Sequence, residues 1–349
     1  MDLRGNRGYH ERQQRGCGHY SGAMPADTMT ALLLDAPGAP QTLRMGRLAR
    51  PDPVAGQVRI AVHACGLNPV DNVLIRTGVA RWQWPHVPGL DVVGTVDAVG
   101  EGVSTSWVGV RVAVHHDLRR PGGLAAEVCV DAKMIAAVPA NLTAAQAATV
   151  PCPGLTAVQL VTRSAIGAGS RVLITGAGGA VGTFVCQLAV AVGAEVDAVA
   201  SPADLGRLAR LGVHQAIDYH AADTAQTLRR WAGSGYDVVA ELVSSGADTA
   251  PLLSYGGTLI TTVGRPDLSN VPPFTLSPTA IEVALGAVYE FGTDQQREDL
   301  GGQLGSLLGE LDVGGIECPP FVEVPLAELP NRWQAKSEGA QLPKLVAVL

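Results

Sequence analysis

The stretch Arg171-Val-Leu-Ile-Thr-Gly-Ala-Gly-Gly-Ala-Val-Gly182 decides how this 349-residue chain folds. A short run suited to a buried strand leads directly into a glycine turn, and an apolar helix pattern follows it. The spacing G-x-G-x-x-G fails when it is started at Gly176, whereas G-x-x-G-x-x-G fits Gly176, Gly179 and Gly182. Glycines at these places permit a tight turn and close approach of the backbone to a pyrophosphate at the helix N-terminus. We predict a dinucleotide site formed by Gly176, Gly178, Gly179, Ala180, Val181 and Gly182.

Outward from this turn, strand-like and helix-like segments alternate. A strand at 196–200 follows the first helix, a second helix covers 205–211, and further strands are expected at 236–243 and 258–263. This alternation predicts a parallel sheet of the doubly wound α/β class. From 29 to about 150 the pattern is instead one of short β runs broken by glycine and proline, which predicts a barrel-like β unit.

The end of the second predicted strand bears on which dinucleotide binds. NAD-type sites carry Asp or Glu there, which accepts hydrogen bonds from the ribose 2′-hydroxyl and repels a 2′-phosphate. Here the position holds Ala200 followed by Ser201, so the sequence favours NADPH over NADH. The residues that would meet the 2′-phosphate are Ser201, Arg207, Arg210 and Tyr219, although the arginines also fit a solvated helix face.

Composition and charge argue against several other classes of protein. A formal charge of −7 disfavours a nucleic-acid partner, and no apolar run reaches the roughly 20 residues that cross a bilayer. The six cysteines form no CxxC pair, which disfavours a disulfide framework or a structural zinc site. We therefore expect a cytoplasmic protein without nucleic-acid or membrane partners. Residues 1–28 lack an apolar segment and fit a disordered leader or a start codon placed too early.

Several short motifs add a family resemblance to this reading of the residues. They are Gly66-Leu-Asn-Pro-Val-Asp71, Pro88-Gly-Leu-Asp-Val-Val-Gly94, Pro153-Gly-Leu-Thr-Ala157, the glycine turn and Lys344-Leu-Val346. In this order they resemble the zinc-free quinone oxidoreductases related to zeta-crystallin, of the medium-chain dehydrogenase/reductase superfamily. The resemblance implies a GroES-like catalytic domain formed by residues 29–150 and 284–349. It also implies an inserted nucleotide domain at 151–283 and a homodimer.

The resemblance implies hydride transfer from NADPH to a quinone or another α,β-unsaturated carbonyl. An enoyl-thioester or alkenal reductase and a catalytically silent NADPH-binding protein remain alternatives on the same scaffold.

One departure from the family bears on the cofactor. The usual basic residue early in the second nucleotide-domain helix is Asp204 here, which weakens the case for NADPH unless Arg207 compensates.

The same resemblance assigns the catalytic residues. Zinc-dependent members of the superfamily hold their metal with a Cys and a His at the positions of Asn68 and Leu90, so no metal is expected here. The amide of Asn68 could donate to a developing oxyanion or hold the cofactor, while Asn-Pro also fits a plain turn. Asp71 is expected to orient backbone or Arg76. Further cofactor contacts are expected from Thr156, Val263 and Lys344.

Overall fold

A computed structural model describes residues 27–349 of the chain. The leader predicted at residues 1–28 lies outside this range, apart from Asp27 and Thr28, and Thr28 opens the first strand. Among the helices of residues 27–349, none combines the length and hydrophobicity that a bilayer crossing needs. The strands of these residues are β1 (Thr28–Leu33), β2 (Arg44–Ala49), β3 (Gln57–Gly66), β4 (Asp91–Val99), β5 (Arg111–His115), β6 (Glu127–Asp131), β7 (Ala136–Ala137), β8 (Arg171–Thr175), β9 (Glu195–Ala200), β10 (Gln215–Asp218), β11 (Tyr236–Glu241), β12 (Leu253–Thr261), β13 (Thr279–Glu282), β14 (Phe321–Pro325) and β15 (Lys344–Val348).

The helices start where the sequence offers suitable first residues. Proline opens three of the longer helices, at a position whose N–H would have no partner inside the helix. Thr293 caps the longest helix, because its hydroxyl accepts from the Gln296 N–H at 3.2 Å. The helices are α1 (Pro69–Thr77), α2 (Ala144–Ala147), α3 (Pro151–Arg163), α4 (Ala180–Ala191), α5 (Pro202–Arg210), α6 (Thr224–Ala232), α7 (Val288–Phe291), α8 (Asp294–Asp312) and α9 (Leu329–Ser337).

Strands β8 to β13 form an entirely parallel sheet in the order β10-β9-β8-β11-β12-β13. Its centre is β8, whose Val-Leu-Ile run is fully buried because helices cover both faces. Helices α4, α5 and α6 connect the first four strands. The predicted doubly wound class is confirmed. The strand order reverses between β8 and β11, and in such sheets the ligand crevice lies at the carboxyl ends of the strands beside that point.

A second, largely antiparallel sheet has the order β14-β15-β3-β4-β5-β7, with β6 paired to β3. Strand β15 lies between β14 and β3, and Val346 pairs with Gly66. Segments from both ends of the described chain therefore share one sheet. This confirms the predicted combination of a GroES-like unit with a parallel-sheet unit, while the boundaries at 29–150, 151–283 and 284–349 stay predictions.

The glycine turn depends on the absence of side chains at two points. Gly176 has a φ of +64°, a conformation that residues with a Cβ rarely adopt. At Gly182, a Cβ would lie 2.5 Å from the Cα of Ala177 and 2.5 Å from the carbonyl oxygen of Gly176. Helix α4 can therefore pack directly on the turn that precedes it, which keeps its N-terminus close to the end of β8.

We expect Gly182→Ala to lower the free energy of unfolding by about 1–3 kcal/mol, because the turn must shift to admit the methyl group. The matched control is Gly206→Ala in α5, where an added Cβ meets nothing within 4 Å. This variant should be neutral or more stable by up to about 1 kcal/mol. Urea unfolding of both variants measures the difference, and equal stabilities would contradict this account of the turn.

Candidate active site

Asn68 precedes the first turn of helix α1, and its position is held by Asp71. The carboxylate Oδ2 of Asp71 accepts the backbone N–H of Asn68 at 2.8 Å, as an acidic residue three places into a helix can. Pro69 occupies the first helical position, where its missing N–H costs nothing. Asp71 thus orients the backbone of Asn68, whereas Arg76 donates to Asn72 at 3.3 Å.

The side-chain amide of Asn68 lies between a buried cation and a buried anion. Its Nδ2 donates to Oδ2 of Asp91 at 2.8 Å, and its Oδ1 accepts from the Lys344 ammonium at 2.5 Å. An ammonium only donates and a carboxylate only accepts, so these partners determine the orientation of the amide. Lys344 also donates to the carbonyl of Leu67 at 3.0 Å. Within residues 27–349, the second hydrogen on Nδ2 has no acceptor and remains available as a donor.

Asp91, which is fully buried, is the centre of this cluster. Its Oδ1 accepts from Nδ1 of His115 at 2.9 Å and from the backbone N–H of Cys152 at 3.0 Å. Cys152 lies in the first turn of α3, where free N–H groups and the helix dipole favour a negative charge. The Lys344 ammonium lies 3.6 Å from Oδ2 of Asp91. The carboxylate therefore joins β4, β5, α1, α3 and β15 at one point.

Asp91, His115 and Cys152 bring three potential metal ligands within 4.8 Å of one another, a convergence that the sequence reasoning missed. Both oxygens of Asp91 already accept hydrogen bonds, and the nearby Lys344 ammonium would repel a second cation. Burial, followed by the negative charge of Asp91, raises the pKa of the Cys152 thiol well above its ordinary value and so disfavours the thiolate that a metal requires. This donor set does not fit a divalent metal.

Asp71 carries a carboxyl group with unusual properties. Burial, and then the negative charge of Asp91, raise its pKa from 3.8 to about 7. Its Oδ1 is buried and has no hydrogen-bond partner within the described part of the chain. A cavity of about 200 Å³ borders the neighbouring Asn68 and is lined by Leu67, Pro69, Asn72, Trp333, Lys336, Ser337 and Leu345.

Most of the predicted cofactor residues meet at the carboxyl ends of β8 and β9. The glycine turn is tied to β9 by a hydrogen bond of 3.1 Å from the Ala177 N–H to the Val199 carbonyl. Ser201 precedes the first turn of α5, and the half-exposed Tyr219 donates its backbone N–H to Ala200 at 3.2 Å. The N-terminus of α4 beside the turn provides amides suited to a pyrophosphate.

Arg207 is engaged within the protein. Its Nη2 donates to the Gly178 carbonyl at 2.9 Å and to Oδ1 of Asp204 at 2.7 Å, while Nη1 donates to the Thr183 hydroxyl at 2.9 Å. Only 13% of its side chain is exposed. Arg207 is one of the residues predicted from the sequence to meet a 2′-phosphate, and the case for NADPH required it to compensate for Asp204. This geometry instead directs the guanidinium to the turn and to Asp204 itself.

The remaining predicted contacts lie in different surroundings. Thr156 is buried in α3, one turn after Cys152. Val263 is exposed two residues beyond β12. Lys344 is predicted from the sequence to touch the cofactor, yet only 4% of its side chain is exposed and its ammonium is bound to the Asn68 cluster. We therefore reassign Lys344 to that cluster.

Two family models match the chain: the alcohol dehydrogenase GroES-like domain over residues 54–140 and the zinc-binding dehydrogenase over residues 180–290. The quinone oxidoreductase of Sus scrofa is 33% identical to this chain, and the alignment covers 71% of this chain and 77% of the relative. The quinone oxidoreductase of Homo sapiens is 30% identical to this chain, and the alignment covers 69% of this chain and 74% of the relative. A mycocerosic acid synthase-like polyketide synthase of Mycobacterium tuberculosis is 34% identical over 92% of this chain and 15% of its own length.

Solved structures agree with this fold. An alcohol dehydrogenase superfamily protein from Novosphingobium aromaticivorans superposes with a TM-score of 0.80 at 26% identity, covering 92% of this chain and 99% of the other. The quinone oxidoreductase from Coxiella burnetii, at 24% identity, shares the fold with a TM-score of 0.78 over 93% of this chain and all of the other. The fold and the glycine turn thus define an oxidoreductase of the medium-chain dehydrogenase/reductase superfamily that uses a nicotinamide cofactor. Within it, the chain belongs to the quinone oxidoreductase family, which confirms the resemblance stated above.

We expect Lys344→Met to lower the free energy of unfolding by about 3–5 kcal/mol, because it leaves Asp91 buried without its cation. The matched control is Lys133→Met, since the Lys133 ammonium pairs with Glu298 and Asp294 at the surface, and this variant should lose much less. Chemical unfolding of both proteins compares the two losses. Equal losses would show that the buried pair contributes no more than an exposed one.

The raised pKa of Asp71 predicts a specific dependence of stability on pH. Between about pH 4 and pH 7 the unfolded chain releases the Asp71 proton while the folded protein retains it, so this residue makes folding less favourable as the pH rises. Asp71→Asn removes the titration but keeps an oxygen that can accept the Asn68 N–H. The free energy of unfolding of the variant should therefore rise relative to that of the wild type between about pH 4 and pH 7, by at most about 1.4 kcal/mol per pH unit. Above about pH 7 this difference should level off. Parallel stability profiles in thermal unfolding would contradict the assignment.

Proposed function

We propose that this chain is a reductase that transfers hydride from NAD(P)H to a quinone or another α,β-unsaturated carbonyl without zinc. The observation that carries the proposal is the amide of Asn68, which Lys344 and Asp91 hold in a single orientation. These three groups form a cluster whose charges do not fit a divalent metal. Membership of the quinone oxidoreductase family supports the reaction class.

A reduced nicotinamide, when bound, supplies the hydride. The chain must then stabilise the negative charge that develops on the acceptor oxygen. The free N–H of the Asn68 amide is suited to this, because a donor that is already oriented needs no rearrangement during the reaction. The Lys344 ammonium on the amide oxygen polarises the group and strengthens that donor.

Conjugated acceptors fit a site with such a modest donor. In a quinone or an enone the incoming charge is delocalised onto oxygen, so no Lewis acid is required. Simple aldehydes lack this delocalisation and should react poorly. Asp71 is 1% exposed, and we assign protonation of the resulting anion to water.

A second candidate is reduction of an enoyl thioester. The alignment with the polyketide synthase over 92% of this chain favours it, because polyketide assembly proceeds on thioesters. A carrier phosphate would need free cations at the cleft, and the sequence offers Arg119 and Arg120. Arg119, however, binds Asp117 at 2.9 Å and Glu290 at 3.0 Å, which leaves the more exposed Arg120. These contacts make an enoyl thioester a less favoured substrate than a small conjugated carbonyl. A catalytically silent NADPH-binding protein is the third alternative.

The preference for NADPH came from Ala200 in place of an acidic residue at the end of β9, and it required Arg207 to compensate for Asp204. The contacts of Arg207 with Asp204, Gly178 and Thr183 remove that support, so the reaction is proposed with NAD(P)H. The homodimer and the cytoplasmic location stay predictions.

The test is a panel of acceptors: a benzoquinone, a naphthoquinone, an alkenal and crotonyl thioester, each with NADH and NADPH and with and without a chelator. We expect quinone or enone reduction that the chelator leaves unchanged. Asn68→Ala should lower kcat by about 10²–10³-fold, the usual effect of losing one oxyanion donor. Asn72→Ala, which alters the same cavity wall, is the matched control and should keep kcat near that of the wild type.

Three outcomes would overturn the proposal. They are the loss of activity on removal of metal, NAD(P)H binding without turnover of any acceptor in the panel, and equal kcat values for the wild type and Asn68→Ala. Bound nucleotide and an intact circular dichroism spectrum would first establish that Asn68→Ala is folded.

A further inference from the structure

We propose that Asp204 makes this chain select NADH over NADPH. The inference deepens the proposed function, and rests on it in assuming that the glycine turn holds a nicotinamide dinucleotide. At the end of strand β9, where NAD-type sites carry an acidic residue, this chain has Ala200. The structure brings a carboxylate to the same corner from the helix that follows.

Asp204 lies in the first turn of α5 and is held against the glycine turn. The Ser201 hydroxyl donates to its Oδ2 at 2.7 Å, and its backbone N–H donates to the Ser201 carbonyl at 3.0 Å. A Cβ built on Gly178 would lie 2.2 Å from the same Oδ2, so the carboxylate packs directly on the middle of the turn. About a quarter of the side chain, 26%, is exposed. The carboxylate is thus fixed in place and reachable from solvent.

In a doubly wound sheet, the adenosine ribose binds beside the glycine turn, at the carboxyl end of the second strand. The ribose of a dinucleotide whose pyrophosphate rests on the glycine turn lies between that turn and the carboxyl end of the second strand. Here the second strand is β9, and the bond from Ala177 to Val199 keeps the two together. A carboxylate at this place can accept from a ribose 2′-hydroxyl, whereas it repels a 2′-phosphate.

The basic residues nearby do not cancel this preference. Arg207 makes three contacts inside the protein, one of them to Asp204, and would have to break them to reach a phosphate. Arg210 donates to the Gly206 carbonyl at 3.3 Å within its own helix. The ring of Tyr219 lies against His220, with ring centres 4.1 Å apart, and carries no charge to attract a phosphate.

The experiment measures the dissociation constants of NADH and NADPH by titration of the full chain without acceptor, and then kcat/KM for both with a reactive quinone. We expect the wild type to favour NADH by at least about tenfold. Asp204→Asn keeps the shape of the side chain and removes its charge, and should lower this ratio by about tenfold or more, chiefly through tighter NADPH binding. The matched control is Asp223→Asn, at the start of α6, which contacts Thr227 and should leave the ratio unchanged.

Two results would overturn the inference: NADPH binding as tight as NADH binding by the wild type, or an unchanged ratio in Asp204→Asn. If that variant does not fold, competition on the wild type decides instead. Adenosine 5′-monophosphate should then displace NADH better than adenosine 2′,5′-bisphosphate, and the reverse order would refute the role of Asp204. Failure of the reductase proposal is distinguishable, since it would leave these binding ratios intact while every acceptor went unreduced.

Discussion

The ion pair of Lys344 with Asp91, bridged by the amide of Asn68, is the interaction on which the candidate active site depends. Two buried charges are costly to remove from water, and they persist here because each is surrounded by specific partners. Asp91 has the N–H groups of Asn68, His115 and Cys152, and Lys344 has the oxygens of Leu67 and Asn68. These partners come from separate elements, so the cluster also fastens the β sheet to helices α1 and α3.

The same cluster bears on the proposal that this member of a superfamily with zinc-dependent relatives reacts without the ion. A divalent metal would bring two positive charges to the site, whereas Lys344 brings one and delivers it through an amide. The result is a directional donor of moderate strength, suited to an acceptor that delocalises its own charge. Chemistry that needs strong polarisation of an isolated carbonyl is correspondingly disfavoured. Under the proposed function, the buried Lys344 ammonium thus favours conjugated carbonyls as substrates.

Sequence reasoning was most successful where structure is determined locally. The strand β8, the glycine turn and helix α4 follow from hydrophobic pattern and glycine spacing within residues 171–191. The alternation of strand-like and helix-like segments was sufficient to predict the doubly wound class. The contacts of side chains were harder. Lys344 and Asn68 are 276 residues apart, and no spacing rule relates them. Asp91 and His115 face each other across β4 and β5, which only the register of that pair reveals. Asp204 and Arg207 did offer a signal, since opposite charges three apart on a helix tend to pair.

The position of β15 in the sheet has a consequence for how the protein is made. Residues 344–348 insert between β14 and β3, and they also carry the ammonium that completes the Asn68 cluster. During synthesis, β3 and β4 emerge long before β15, and the whole parallel sheet is translated in between. Contacts across such a separation form late in folding because closing so long a loop is entropically unfavourable. Asp91 therefore lacks its counter-ion until β15 has been made and has entered the sheet.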